Sequence, residues 1–226
     1  MLEVDGATVV AQELKRPLLE LRQLAFGFDG NGKHDEEIRA EMINVADKAI
    51  RQVNDLSKIE KLSTGVFNMG PVAVRALCDD VIDEVSELFG EKKGKMTVKY
   101  SNRSRLVIAN SELLQSVVYN FLLNAVNYND GELRTELKVK EAHGKVEINV
   151  RDFGPILPFD VWKEIKATLT TPYDIAMRPG SSALGLYIAS KFSKYMHAEV
   201  GAIRHRDGTS FFVKIPVSRQ MNLWGM

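Results

Sequence analysis

The chain has 226 residues, 45% hydrophobic and 27% charged, with 30 basic side chains balanced by 30 acidic ones. That length allows one large domain or two small ones, and a formal net charge of zero excludes a nucleic-acid binder that works by bulk charge. No apolar run approaches the roughly 18 residues of a membrane span, and the N-terminus MLEVDGATVV lacks the basic-then-apolar layout of a signal peptide, so no membrane contact by this segment is expected.

From Val4 to Phe26 apolar residues recur at helical intervals, with Leu14, Leu18, Leu21 and Ala25 on one stripe, which predicts a long amphipathic helix. Residues 28–35, FDGNGKHD, read as a hairpin loop. Beyond it Ile38, Met42, Ala46, Ala49, Val53 and Leu56 form a heptad seam. Two antiparallel helices of about 25 residues each follow. A hairpin of that size buries too little apolar surface alone, so its stripe should pack against a second copy as a dimeric four-helix bundle. The expected domains are a dimerisation hairpin over 1–62, a linker over 63–72, a second domain over 73–218 and a tail over 219–226.

In the second domain the pattern is mixed. Val72–Phe89 and Ser111–Tyr128 are helical by period, while 96–101 and 104–109 alternate like strands. Segments 136–142 and 145–152 make a hairpin across His143-Gly144. Helices near Phe159–Ala167 and Leu184–His197, then strands over 199–206 and 210–217, complete it. Helices and strands interleave without strict βαβ alternation, so the fold class is α+β, an α/β sandwich rather than a doubly wound sheet. The single cysteine, Cys78, excludes an internal disulfide, and His34, His143, His197 and His205 show no metal-ligand spacing. A reducing, cytoplasmic setting is expected.

Residues 11–18, AQELKRPL, resemble the H-box of sensor histidine kinases, usually HELRTPL. Residues 120–128, NFLLNAVNY, resemble the family's N-box, NxxxNAxKY; 152–158, DFGPILP, its G1 box, DxGPGIP; and 180–186, GSSALGL, its G2 box, GGTGLGL. Gly208-Thr209-Ser210-Phe211-Phe212 is similar to the last hairpin of the same family. All occur in family order. The resemblance implies a dimerising phosphoacceptor hairpin followed by a Bergerat-type ATP-binding domain. It implies ATP and Mg²⁺ as cofactors, with Asn120, Asn124, Tyr128, Asp152, Gly154, Gly180, Leu184, Gly185 and Leu186 at the nucleotide and Asn124 on the metal. A response-regulator receiver or another histidine kinase is the implied partner beside the homodimer. The family normally has sensing or linker domains before this hairpin, so the parent protein could be membrane-anchored through an upstream region.

The residues also carry a reading of their own. Asn120 and Asn124, four apart, share a helix face and can present two amide oxygens, or they are solvated or capping amides. Asp152 ends a strand and can accept an adenine amino hydrogen while Gly154 lets the base approach, or the segment is a simple turn. Gly180–Gly185 precedes a helix whose free N–H groups suit phosphate, or it is ordinary capping. Trp162, Trp224 and Cys78 read as structural, and Asp79, Asp80, Asp83 and Glu84 as a solvated helix face.

Departures from the family pattern bear on chemistry. The acceptor position is Gln12, whose amide nitrogen has no basic lone pair and cannot take a phosphoryl group. Glu13 retains the neighbouring acid, and Arg16 replaces the usual Thr or Asn, which removes a group able to accept a hydrogen bond from water. Pro17 removes a backbone donor and should bend the helix. Asn127 replaces the N-box lysine, and Ile156 and Ala183 replace glycines, with Ile156 expected to crowd a nucleotide or to force a different loop. The sequence therefore points to a degenerate kinase that dimerises and binds ATP without autophosphorylating. The alternatives are an ordinary kinase carrying a His-to-Gln change, or one acting in trans on a partner's histidine. An ATP hydrolase is disfavoured, because Asn120 stands where the gyrase-like branches place a glutamate base.

Overall fold

Two long helices open the chain, α1 (Gly6–Phe26) and α2 (Lys33–Lys61). The structure, a computed structural model, describes residues 6–27, 33–89, 95–101, 106–127, 134–170 and 183–218. α2 starts at Lys33, so the expected loop is shorter than 28–35; Asp35 and Glu36 lie in the first turn and Lys58 and Lys61 in the last, each sign opposing the helix dipole. Along α2, Ile38 and Val45 are buried and Met42, Ala46, Ala49 and Leu56 half-buried. Leu18 (62% exposed), Phe26, Ile43, Ile50 and Val53 instead face outward from the single chain.

The expected linker is partly structured. A 3-10 turn over Leu62–Thr64 ends at Gly65, whose φ of 69° suits glycine. Strand β1 (Gly70–Ala73) then pairs antiparallel with β3 (Leu106–Ala109). Around them run α3 (Val74–Phe89), β2 (Lys95–Tyr100), α4 (Ser111–Asn127), β4 (Arg134–Ala142), β5 (Lys145–Asp152), α5 (Phe159–Thr170), α6 (Ala183–Tyr195), β6 (Glu199–His205) and β7 (Gly208–Pro216). The main sheet has the order β2-β4-β5-β7-β6, with only β2 and β4 parallel. The β4–β5 turn uses His143 and Gly144, both at positive φ, the geometry of a tight primed hairpin turn. His197, also at positive φ, closes the end of α6, where the Ala198 N–H donates to the Ser193 carbonyl at 2.9 Å.

Strand periodicity sorts the sheet's faces. Val146, Ile148 and Val150 point inward from β5, opposite Ile215, Val213 and Phe211 of β7. The other face is polar and carries cross-strand ion pairs, among them Lys140–Glu147 at 3.1 Å and Lys214–Glu199 at 2.8 Å. α4 fills the space between the sheet, α3 and α6, with Phe121 stacked on Phe211 at 5.7 Å between ring centroids. It is buried almost all round, as its nearly continuous apolar run dictates.

The hairpin docks on this domain through α2. Leu56 and Ile59 pack against the core, and polar contacts fix the rest. Ser116 of α4 donates to Asp55 Oδ1 at 2.8 Å, Arg51 lies 3.6 Å from the centroid of the Tyr119 ring and pairs with Glu84 of α3. Burial, above all, raises the Asp55 carboxyl above its ordinary 3.8, against the lowering effects of Ser116, Lys58 and Arg51. The folded chain thus holds this proton more tightly than the unfolded one, and stability falls as pH rises from about 3.8 through the raised value. Asp55→Asn keeps an acceptor for Ser116 and removes that titration. Urea midpoints compared at pH 4 and pH 7 should therefore decline less in the variant than in the parent chain.

Candidate functional site

The inward alternation of β5 continues to its last residue. Asp152 follows Val146, Ile148 and Val150 on the helix-facing side and is 4% exposed. A carboxylate there needs donors, and two backbone groups supply them. The N–H groups of Gly154 and Thr209 donate to Asp152 Oδ1 at 3.2 and 3.1 Å. Burial is the largest influence on this carboxyl and raises it, while the two N–H groups oppose the rise. Gly208 makes the close approach feasible: its φ is 122°, and a Cβ built on it would stand 2.7 Å from Asp152 Oδ1.

Asn120 and Asn124 lie on one side of α4, one and two turns beyond Ser116. Asn120 Nδ2 donates to the Ser116 carbonyl at 2.8 Å. Asn124 is 4% exposed and its Nδ2 is buried with no hydrogen-bond partner. A buried amide group left without a partner is costly, which makes Asn124 a candidate to meet a ligand. Asn120 can offer Oδ1 while its Nδ2 stays on the Ser116 carbonyl, and a half-turn of the Asn124 amide exchanges its oxygen and nitrogen, so both can offer oxygen to a hard cation.

At the start of α6, Leu184 and Leu186 are core side chains, 0% and 4% exposed, so they can meet a ligand only through backbone groups. Glu13 of α1 is itself buried; burial, above all, raises its carboxyl above the ordinary 4.5, against the lowering effects of Arg16 and of the Leu184 backbone N–H. Gly154 and Gly185 are buried too, whereas Ile156 is 49% exposed, on the loop between β5 and α5. Its branched side chain is turned to solvent rather than packed into the interior. Pro17 lies inside a continuous α1. Tyr128, Gly180, the tail with Trp224, and the side chains of Gln12, Asn127 and Ala183 lie outside the described residues. Asp79 accepts a hydrogen bond from Tyr100 and Glu84 pairs with Arg51, so these two acids have structural partners. His205 is bonded to Ser210, Nε2 to Oγ, at 2.8 Å.

Residues 109–219 match the family model described as histidine kinase-, DNA gyrase B- and HSP90-like ATPase. Residues 109–219 thus carry a domain of that ATPase family, and the relatives and solved structures that the chain resembles are histidine kinases. The chain is 22% identical over 226 residues to the sensor protein kinase WalK of Staphylococcus aureus, covering 92% of this chain and 52% of that protein. It is 26% identical over 129 residues to the adaptive-response sensory kinase SasA of Rippkaea orientalis (strain PCC 8801 / RF-1), covering 54% and 33% respectively. The chain thus spans about half or less of these relatives. Among solved structures, the fold resembles the Acinetobacter baumannii histidine kinase AdeS, with a TM-score of 0.64, 17% identity and coverage of 92% and 98%. It also resembles histidine kinase ThkA in complex with response regulator protein TrrA, with a TM-score of 0.65, 14% identity and coverage of 96% and 62%.

The support of Asp152 was not singled out from the sequence. The 208–212 segment was noted as a likeness to a final hairpin, but nothing in its spacing assigns Gly208 and Thr209 to Asp152. Gly208→Ala should lower stability by about 1–3 kcal/mol in urea denaturation and weaken adenine-nucleotide binding. Gly144→Ala, also at positive φ but with nothing within 4 Å of its added Cβ, should cost backbone strain alone and leave binding unchanged.

Proposed function

We propose that this chain is the cytoplasmic core portion of a two-component sensor kinase-like protein, a pseudokinase that dimerises through its hairpin and binds ATP with Mg²⁺ without autophosphorylating. The observation that carries this reading is the combination of a built acceptor set, Asp152 with Asn120 and Asn124, with an amide at position 12. In this reading Asp152 Oδ2 accepts the adenine amino hydrogen, because Oδ1 is committed to Gly154 and Thr209. Asn124, helped by Asn120, holds Mg²⁺ through amide oxygen. When bound, the ion neutralises phosphate charge. Gln12 has no basic nitrogen to attack a γ-phosphoryl group, and Glu13, the acid beside it, is buried.

The outward apolar residues of both helices, Leu18 and Phe26 on α1 with Ile43, Ile50 and Val53 on α2, support burial against a second copy in a four-helix bundle. A response-regulator receiver is the proposed partner, docking on the hairpin in a manner that Arg16 alters. No described helix is long and apolar enough to cross a membrane.

Incubation with γ-labelled ATP separates this reading from an ordinary kinase carrying one changed residue. The parent chain should incorporate no acid-labile label, and Gln12→His should not restore it, because Arg16 and the nucleotide boxes also depart from the family pattern. Acid-labile label on the introduced imidazole would instead favour the single-change alternative.

A further inference from the structure

Helix α4 meets the hairpin and carries the candidate metal amides on one face. Ser116, Asn120 and Asn124 follow one another at four-residue steps, so the serine stands one turn before the first asparagine. Contacts from α2 fall on the same stretch: Lys58 lies 3.8 Å from Glu112, and Asp55 Oδ1 accepts from the Ser116 hydroxyl at 2.8 Å. Asp55 and Ser116 are each 2% exposed, so water cannot replace either partner of that bond. The serine also touches Asn120 through its other oxygen. Its carbonyl accepts from Asn120 Nδ2 at 2.8 Å, which commits the amide nitrogen and leaves Oδ1 for a cation.

A buried hydroxyl has to donate somewhere. Deprived of Asp55, a helical serine turns to its own helix, either to the carbonyl one turn back, a bond that bends helices, or to the amide oxygen one turn ahead. The first choice shifts the turn that carries Asn120, and the second occupies its oxygen. We propose that Asp55 is a positioning residue for the nucleotide site: by holding the Ser116 hydroxyl it keeps Asn120 Oδ1 free for Mg²⁺. This rests on the nucleotide-binding reading above. It makes a residue of the hairpin part of the support of the metal site, and so ties ion binding to the docking of α2.

The test titrates the full chain with Mg²⁺ at a fixed concentration of a non-hydrolysable ATP analogue, and follows the Asn120 side-chain amide by NMR in the ligand-free chain. Asp55→Ala should raise the Mg²⁺ needed for half-saturation by about fivefold or more, the lower end of ordinary coupling between sites. It should shift the Asn120 amide signal and leave affinity for the analogue without Mg²⁺ unchanged. Asp55→Asn keeps an acceptor for the hydroxyl and should match the parent in every readout. Removing the hydroxyl as well, in Asp55→Ala with Ser116→Ala, should restore the parent's Mg²⁺ requirement, whereas a loss of structural support alone would deepen with the second change. Asp55→Leu, which fills the space without offering an acceptor, takes the place of the alanine variant in both arms if that variant does not fold. Equal Mg²⁺ requirements in parent and Asp55→Ala, or a double variant no better than the single one, overturn the positioning role and leave nucleotide binding standing. A parent chain that binds no analogue overturns it together with the nucleotide reading.

Discussion

A carboxylate can be kept inside a protein only where donors reach it, and Asp152 shows what the rest of the domain must do to meet that condition. The two-residue period of β5 turns it inward behind Val146, Ile148 and Val150. The chain then has to bend at once so that the Gly154 N–H folds back, and β7 has to begin close enough for the Thr209 N–H to arrive from the other side. Gly208 lacks the Cβ that would forbid this approach. Strand register, the loop after β5 and the β6–β7 turn are therefore bound to one oxygen atom. The same packing seats α4 over β5 and β7 through Phe121 and Phe211, which sets the helix bearing Asn120 and Asn124 over these strands.

The hairpin joins this domain chiefly through α2. There the Asp55–Ser116 bond and the Arg51–Tyr119–Glu84 cluster join an apolar contact made by Leu56 and Ile59. A mixed interface of this kind fixes both the position and the rotation of α2, because the polar contacts are directional where the apolar ones are not. α1 also touches α6, and its Glu13 is buried.

Much of this was legible in the sequence because the signals are local. The period of α4, the turn residues His143-Gly144 and the alternation in β5 depend on neighbours a few positions apart, and the four boxes fix their order along the chain. The placement of Gly70–Ala73 was missed because two glycines and a proline in ten residues read as a linker, whereas pairing with Leu106–Ala109 is decided by a distant partner. Val53 and Leu18 fit the helical stripes, yet both are exposed in the single chain, since a stripe shows that a face is apolar and not what covers it. Ile156 was expected to crowd a nucleotide or to force a different loop, and its half-exposure follows from a loop direction that the residue type does not encode. The supports of Asp152 were invisible for another reason: backbone N–H groups carry no side-chain signature.

The claim on which the functional reading stands is that the Asp152 and Asn124 set still accepts a nucleotide. Titration of the full chain with a non-hydrolysable ATP analogue, with and without Mg²⁺, measures it most directly. Saturable binding that weakens when Mg²⁺ is withdrawn, and that disappears in Asp152→Ala, is the expected result. An absence of saturable binding at millimolar analogue, in a chain that gives the same cooperative unfolding with and without ligand, would contradict it and leave a dimerising scaffold.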